Sequence, residues 1–337
     1  MKMGKATILK MAVALGLSLT ACDKYIYDGA GKCEVAVRFK YEYNMLFADA
    51  FAQKVHSVTL YVFDPATGRL VTKVSDSGQH LDENYFMTLS GLPKGTYDLV
   101  AWCGLEESEF TVTEPTTKEE LYCLMNTKTK AASYMDTDAG SLYHGRLDGV
   151  NLEKLPEGSV NTVVIPLVKD TNNIVVLLQA QDVTSELTPT EYEVTIVDNN
   201  AKLDWKNDLW QKENLTYYPW DVKRASVEYN STTSLSAFVA EFTTNRLVKQ
   251  DDYKARLRVM HKASGNVIID LPLIDLMLLV KGNYNARMSD QEYLDRQDEY
   301  KFIFFLGNIG PAGDPTWDIA AGIYVNAWHI VLQNTTL

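Results

Sequence analysis

Few residues of this chain have a type and setting that point to chemistry, and the sharpest of them is a cysteine. Cys22 follows directly on Leu19-Thr20-Ala21. Before it runs a largely apolar stretch, Met11 to Leu19, preceded by Lys2, Lys5 and Lys10. A basic start, a short apolar run and small residues before a cut site are the pattern of a secretory signal. The run is roughly half the ~20 residues that a spanning helix requires. A thiol at this place supports one defined sequence of steps. Its sulfur is alkylated by a diacylglyceryl group, the chain is cut just before it, and the new α-amine is acylated. Each buried CH₂ contributes about 0.8 kcal/mol, so two or three chains hold a protein at a membrane durably.

The string Leu19-Thr20-Ala21-Cys22 resembles the bacterial lipobox, and Cys22 is therefore the expected lipid-attachment residue. Three further cysteines follow: Cys33, Cys103 and Cys123. An exported compartment permits disulfides, but three thiols cannot all pair within one chain. If a pair forms, it is Cys103 with Cys123, each near an element end in the same half. Buried thiols packing as small hydrophobes are the other reading.

Other chemistry finds little support. The chain lacks a CxxC, and His56, His80, His144, His261 and His329 are scattered, so a zinc site is not expected. Asp136-Thr137-Asp138-Ala139-Gly140-Ser141 hints at a Ca²⁺ loop but lacks the third acidic position and the distal bidentate Glu, so it reads as a solvated loop. No GxSxG, HExxH, GxxxxGK[ST] or GxGxxG occurs. No cofactor is expected, and a lipid-anchored hydrolase is the weakest reading. Trp205, Trp210 and Trp220 could stack on a glycan, although core or interface packing is the plainer use.

The composition narrows the partners. The chain has 337 residues and a formal net charge of −12. That acidity fits nucleic acid poorly, because phosphates are met with Lys and Arg. It equally disfavours an electrostatic hold on an anionic membrane surface. No segment after the signal has 18 consecutive apolar residues, so the expected membrane contact is through acyl chains alone.

The elements around these residues read as short strands with turn signals between them. Cys33, Val35, Val37, Phe39 and Tyr41 alternate with Glu34, Arg38, Lys40 and Glu42, a period-two pattern. Further strands are expected at 55–63, 70–74, 85–89, 96–102, 160–168, 174–179, 191–197, 235–242, 253–260, 301–306 and 323–332. Leu92-Pro93-Lys94-Gly95 is a tight turn. A short helix is expected over Lys118 to Met125, capped by Thr116 or Thr117, and a second over Ser289 to Asp298, with Ser289 and Glu292 as a capping box. Asn126 to Ser141 reads as a long polar loop. The fold class is all-β, two tandem sandwiches: signal 1–21, tether 22–32, first sandwich 33–169 and second sandwich 170–337.

Four strings then point to a family. They are Phe39-Lys40-Tyr41-Glu42-Tyr43-Asn44-Met45 with Ala48-Asp49-Ala50-Phe51; Val58-Thr59-Leu60-Tyr61-Val62-Phe63-Asp64; Leu92 to Trp102; and Glu292-Tyr293-Leu294-Asp295-Arg296-Gln297-Asp298-Glu299-Tyr300. With the lipobox, and in this order, they resemble the FimB/Mfa2 family of fimbrial anchor lipoproteins of Bacteroides and Porphyromonas relatives. The resemblance implies tandem transthyretin-like β-sandwiches at the outer membrane. It also implies fimbrial stalk or accessory subunits as partners, joined by strand pairing, and in some members a limit on fimbrial length. The Ile323–Leu332 strand is a candidate donor, with an ordinary edge or core strand as the plainer alternative. Within Leu294-Asp295-Arg296 an Asp–Arg contact would fix the helix. The competing function is a surface glycan-binding or adhesin lipoprotein that does not polymerise.

Overall fold

The computed structural model describes residues 35–152, 161–282 and 285–309, with the backbone of 315–316, 323–325 and 328–330. Cys22, the tether and Cys33 lie outside the described residues.

The first half holds β1 (Val35–Tyr43), helix α1 (Phe51–Lys54), β2 (Ser57–Phe63), β3 (Leu70–Ser77), β4 (Met87–Leu89), β5 (Thr96–Cys103), β6 (Phe110–Val112), β7 (Tyr122–Met125), β8 (Lys128–Thr129), β9 (Ser133–Met135), β10 (Tyr143–Asn151) and β11 (Asn161–Lys169). The second holds β12 (Asn172–Ala180), β13 (Tyr192–Asp198), β14 (Lys202–Asp204), β15 (Leu215–Tyr217), β16 (Asp221–Asn230), β17 (Thr233–Thr244), β18 (Arg256–His261) and β19 (Val267–Pro272). Helices α2 (Leu273–Leu279) and α3 (Asp290–Arg296) follow, then β20 (Glu299–Ile309), β21 (Pro315–Thr316), β22 (Ile323–Val325) and β23 (Trp328–Ile330). The fold is all-β.

The first sheet has the order β3-β2-β5-β10-β11-β1-β4. The second runs β16-β17-β12-β20-β22-β23 with β21 beside β20, the third β19-β18-β13-β15-β9-β8, and a small sheet β14-β7-β6. Strand periodicity sets which face is buried. In β1, Val37, Phe39 and Tyr41 are buried while Glu42 is exposed. With Leu60, Val62, Leu99, Ala101, Ile165 and Leu167, they form one apolar cluster on one face of the first sheet.

The other face of that sheet is also covered. Tyr61, Phe63, Val100 and Trp102 join a larger cluster with Ile174 and Val176 of β12, Ile196 of β13, Phe242 of β17 and Phe302 of β20. Past Thr96, β5 therefore has no wet face. Val100 is fully buried, and Asp98 is 5% exposed, paired to Lys118 Nζ at 2.5 Å. The two halves share one continuous core.

They also exchange strands. β9 precedes the expected boundary at Lys169, yet it pairs in parallel with β15, Ser133 beside Leu215 and Met135 beside Tyr217. β14 follows the boundary and pairs with β7, Leu203 beside Cys123. So the expected polar loop Asn126–Ser141 carries two short strands. Two or three residues are too few to show a period, and their partners come from distant sequence. The expected helix Lys118–Met125 is a single 3₁₀ turn over Lys118–Glu120, with the Thr117–Glu120 capping box formed. From Tyr122 on, pairing with β6 and β14 wins over local propensity.

Gly104 closes β5 with φ at 85°, where a Cβ would collide with the Ser141 carbonyl oxygen. Gly145 in β10 lets β11 cross closely, since a Cβ there would lie 2.5 Å from Ile165 Cγ2.

Candidate functional site

Cys103 and Cys123 are both buried free thiols. Cys103 belongs to the first-sheet cluster and Cys123 to the larger one. The pairing considered from the sequence is not made in this structure. Both thiols pack as small hydrophobes instead, and burial pushes both pKa values above the usual thiol range.

The acidic loop is occupied by protein partners. Asp136 pairs with Lys128 Nζ at 2.5 Å. Asp138 Oδ1 accepts from the Gly140 amide and from the Thr243 hydroxyl at 2.6 Å. The three tryptophans have separate neighbours. Trp205 is half-buried, with the Lys118 ammonium 4.2 Å and the Arg146 guanidinium 5.0 Å from its ring. Trp210 stacks on Tyr122 with centroids 3.8 Å apart. Trp220 is 38% exposed. The Trp205 carbonyl lies 3.1 Å from His144 Nε2. Burial pushes that ring's pKa down to about 3, so it is neutral at physiological pH.

The expected strand over 323–332 is two strands, not one. β22 pairs antiparallel with β20, Val325 beside Phe302 and Ile323 beside Phe304. β23 folds back on β22, Trp328 beside Val325. Among the described residues β23 is the outermost strand on that side of the second sheet. The C-terminal pairing surface is therefore a sheet margin.

A buried polar network beside the expected boundary was not visible as a group in the sequence. Asp170 sits between β11 and β12, fully buried. Asn207 Nδ2 donates to its Oδ1 at 2.7 Å, and the Asn207 carbonyl accepts from the Arg246 guanidinium. Arg246 Nε and Nη2 hold the Asp295 carboxylate at 2.9 and 2.8 Å. The Asp–Arg contact expected to fix α3 is present, with Arg246 rather than Arg296 as partner. Arg296 does something else. Its guanidinium lies 3.9 Å from the Tyr43 ring centroid and 4.8 Å from that of Phe47, and its Nε donates to Glu292 at 2.9 Å. Two family-like strings far apart in sequence thus meet, α3 clamping the end of β1. Lys169 adds an ion pair to Asp298 at 2.6 Å.

Burial pushes the Asp170 carboxyl up to about 7, against the pull of Arg246 and Asn207. The folded chain therefore binds a proton between about pH 4 and 7 that the unfolded chain releases. Stability contributed by this site falls as pH rises through that window. Asp170→Asn is expected to reduce the loss of unfolding free energy between pH 5 and 8 by about 2–4 kcal/mol. Urea unfolding of both proteins at the two pH values measures this; parallel pH profiles would show that Asp170 does not titrate there.

With the geometry in place, comparison with known proteins adds the family. Residues 30–334 match the family described as fimbrillin-A associated anchor proteins Mfa1 and Mfa2. Among solved structures, a candidate adhesin of Bacteroides thetaiotaomicron is 31% identical, with a TM-score of 0.77, over 91% of this chain and 100% of that one. A candidate polysaccharide-binding protein of the same organism is 32% identical, with a TM-score of 0.70, over 90% and 99%. The fimbrial anchor protein Mfa2 of Porphyromonas gingivalis, 18% identical with a TM-score of 0.66 over 89% and 99%, shares the fold. A comparison with curated proteins finds no match. The chain belongs to the family of fimbrillin-A associated anchor proteins Mfa1 and Mfa2.

Proposed function

We propose that this protein is an anchor or accessory subunit of a fimbrium, held at the outer membrane by acyl chains on Cys22. One observation carries the reading: the family match begins at residue 30, eight residues after Cys22, and runs to residue 334. The mature chain is then almost wholly a fimbrial anchor body on a lipidated thiol. We read its halves as tandem transthyretin-like sandwiches with strands exchanged between them. It contacts neighbouring fimbrial subunits through strand pairing and limits the length of the fibre.

The physics of the body suits this task. A basal subunit must pass tension from fibre to lipid. A shared core, exchanged strands and the Arg296 guanidinium packed on Tyr43 join the halves without a slack linker. Backbone hydrogen bonds at a sheet margin give affinity, and alternating side chains give register.

Deleting the gene is expected to release fimbriae into the medium or to lengthen them, as seen by electron microscopy and by assaying the medium for stalk subunits. Fibres of normal length still attached to the deletion strain would overturn the reading. The alternative, a glycan-binding adhesin that does not polymerise, is favoured by exposed Trp220 and by the polysaccharide-binding description of a similar structure. Its mark would be polysaccharide binding lost in Trp220→Ala, with no fimbrial subunit co-purifying.

A further inference from the structure

One strand edge in the third sheet is left bare inside a groove. β18 pairs with β13 from Tyr192 beside His261 to Val197 beside Arg256. On the other side, β15 reaches only Ile196, Val197 and Asp198. After Tyr217 the chain departs. The Tyr218 amide donates to the Met135 carbonyl at 2.7 Å, Pro219 follows, and Asp221 opens β16 in the second sheet. Among the described residues no strand lies beside Glu193, Val194 and Thr195 on that side.

This edge is not on an open surface. Glu193 and Val194 line a groove of about 780 Å³ together with Tyr134, Thr216, Tyr218 and Pro219. Other sheet margins carry charges that discourage pairing. β16 has Lys223 and Arg224, and on β19 Asp270 is ion-paired to Arg256. The groove presents Val194, Val222 and three tyrosines beside strand backbone, with Lys130 and Lys262 also on its wall. That combination reads an extended chain by its amide groups.

Charge specifies the occupant further. Glu193 is half-buried and faces Met260 across the ladder to β18. Among the described residues its carboxylate makes no ion pair, the lysines of the groove, Lys130 and Lys262, standing elsewhere on its wall. A strand entering on the open side would place one residue directly opposite Glu193, where opposite charges stabilise and like charges repel.

We propose that this groove is an acceptor for an extended segment of a partner subunit, which pairs with Glu193–Thr195 where β15 stops and sets a basic side chain against Glu193. This deepens the anchor reading and rests on it.

The test uses the full-length protein in detergent and a fluorescent peptide of about nine alternating Val and Thr residues with a central Lys. Saturable binding is expected by anisotropy. Proline at two Thr positions, which removes backbone donors, or Glu in place of Lys, is expected to weaken it at least about tenfold. Thr216→Trp, which fills the groove from an exchangeable face, weakens it similarly. Glu193→Lys reverses the preference to the Glu peptide, a result that misfolding cannot produce. Absent binding, indifference to proline, or oligosaccharide binding lost in Thr216→Trp while the peptide is ignored would each overturn the proposal. Purified stalk subunit separates the two levels. Undiminished stalk binding by Thr216→Trp removes the groove and leaves the anchor reading. Failure of the wild-type protein to bind any stalk subunit removes the anchor reading itself.

Discussion

Arg246→Met is expected to lower the unfolding free energy by about 3–5 kcal/mol, among the largest effects a single side chain here can have. Its side chain is 14% exposed and that of Asp295 8%. Removing the cation leaves a carboxylate buried and unpaired, which costs far more than an exposed ion pair contributes. The Asn207 carbonyl loses a donor at the same time. The double change Arg246→Met with Asp295→Leu is the control. A matched apolar pair at such a site is often neutral, so most of the loss should be recovered. Loosening α3 also frees Arg296 from Tyr43, so limited proteolysis should cut the single variant near the joint. A loss below about 1 kcal/mol on urea unfolding would show that the clamp does not hold α3 in place.

The second large effect is on location. In Cys22→Ser the hydroxyl replaces the thiol that the diacylglyceryl group needs, so no acyl chain is added. One myristoyl-length chain gives only marginal, reversible membrane binding, whereas two or three give a durable hold. The expected change is therefore close to all-or-none: the variant takes up no fatty-acid label and is missing from the outer-membrane fraction. Recovery of unlabelled variant in that fraction, at the wild-type amount, would contradict lipid anchoring.

Much of the strand framework was legible because its strands are long. β1, β2, β12 and β17 each run for seven or more residues rich in apolar and β-branched side chains, and the Ser289 cap is where the spacing put it, its hydroxyl accepting from the Glu292 amide at 3.0 Å. What escaped notice falls into two physical classes. The first is strands of two to four residues, β6 to β9, β14 and β15, too short to show a period, of which β7 and β9 take partners, β14 and β15, from the other half. The second is the joint. Asp170-Thr171-Asn172 and Asp198-Asn199-Asn200 carry turn-forming residues and read as wet loops. In the fold they are buried: Leu142 of the first half meets Asp170 and Thr171, and Tyr217, Asn245 and Gln250 cover Asn199 and Asn200. Their side chains then take over the hydrogen bonding of the covered backbone. Asn245 Nδ2 donates to the Asn200 carbonyl at 2.6 Å, and Asn200 Nδ2 to the Asn245 carbonyl at 3.2 Å. A buried amide seam and a solvated turn use the same residues, and local sequence does not distinguish them. Arg246, between Asn245 and Leu247, likewise carried no motif.

In the proposed function a lipid holds one side of the body and a fibre the other. Immunogold electron microscopy of a strain whose only copy carries Cys22→Ser, with the culture medium assayed for stalk subunit, tests it most directly. Bare cells with fibres in the medium are predicted. Cells that keep a normal coat of attached fibres, with no fatty acid on the subunit, would contradict it.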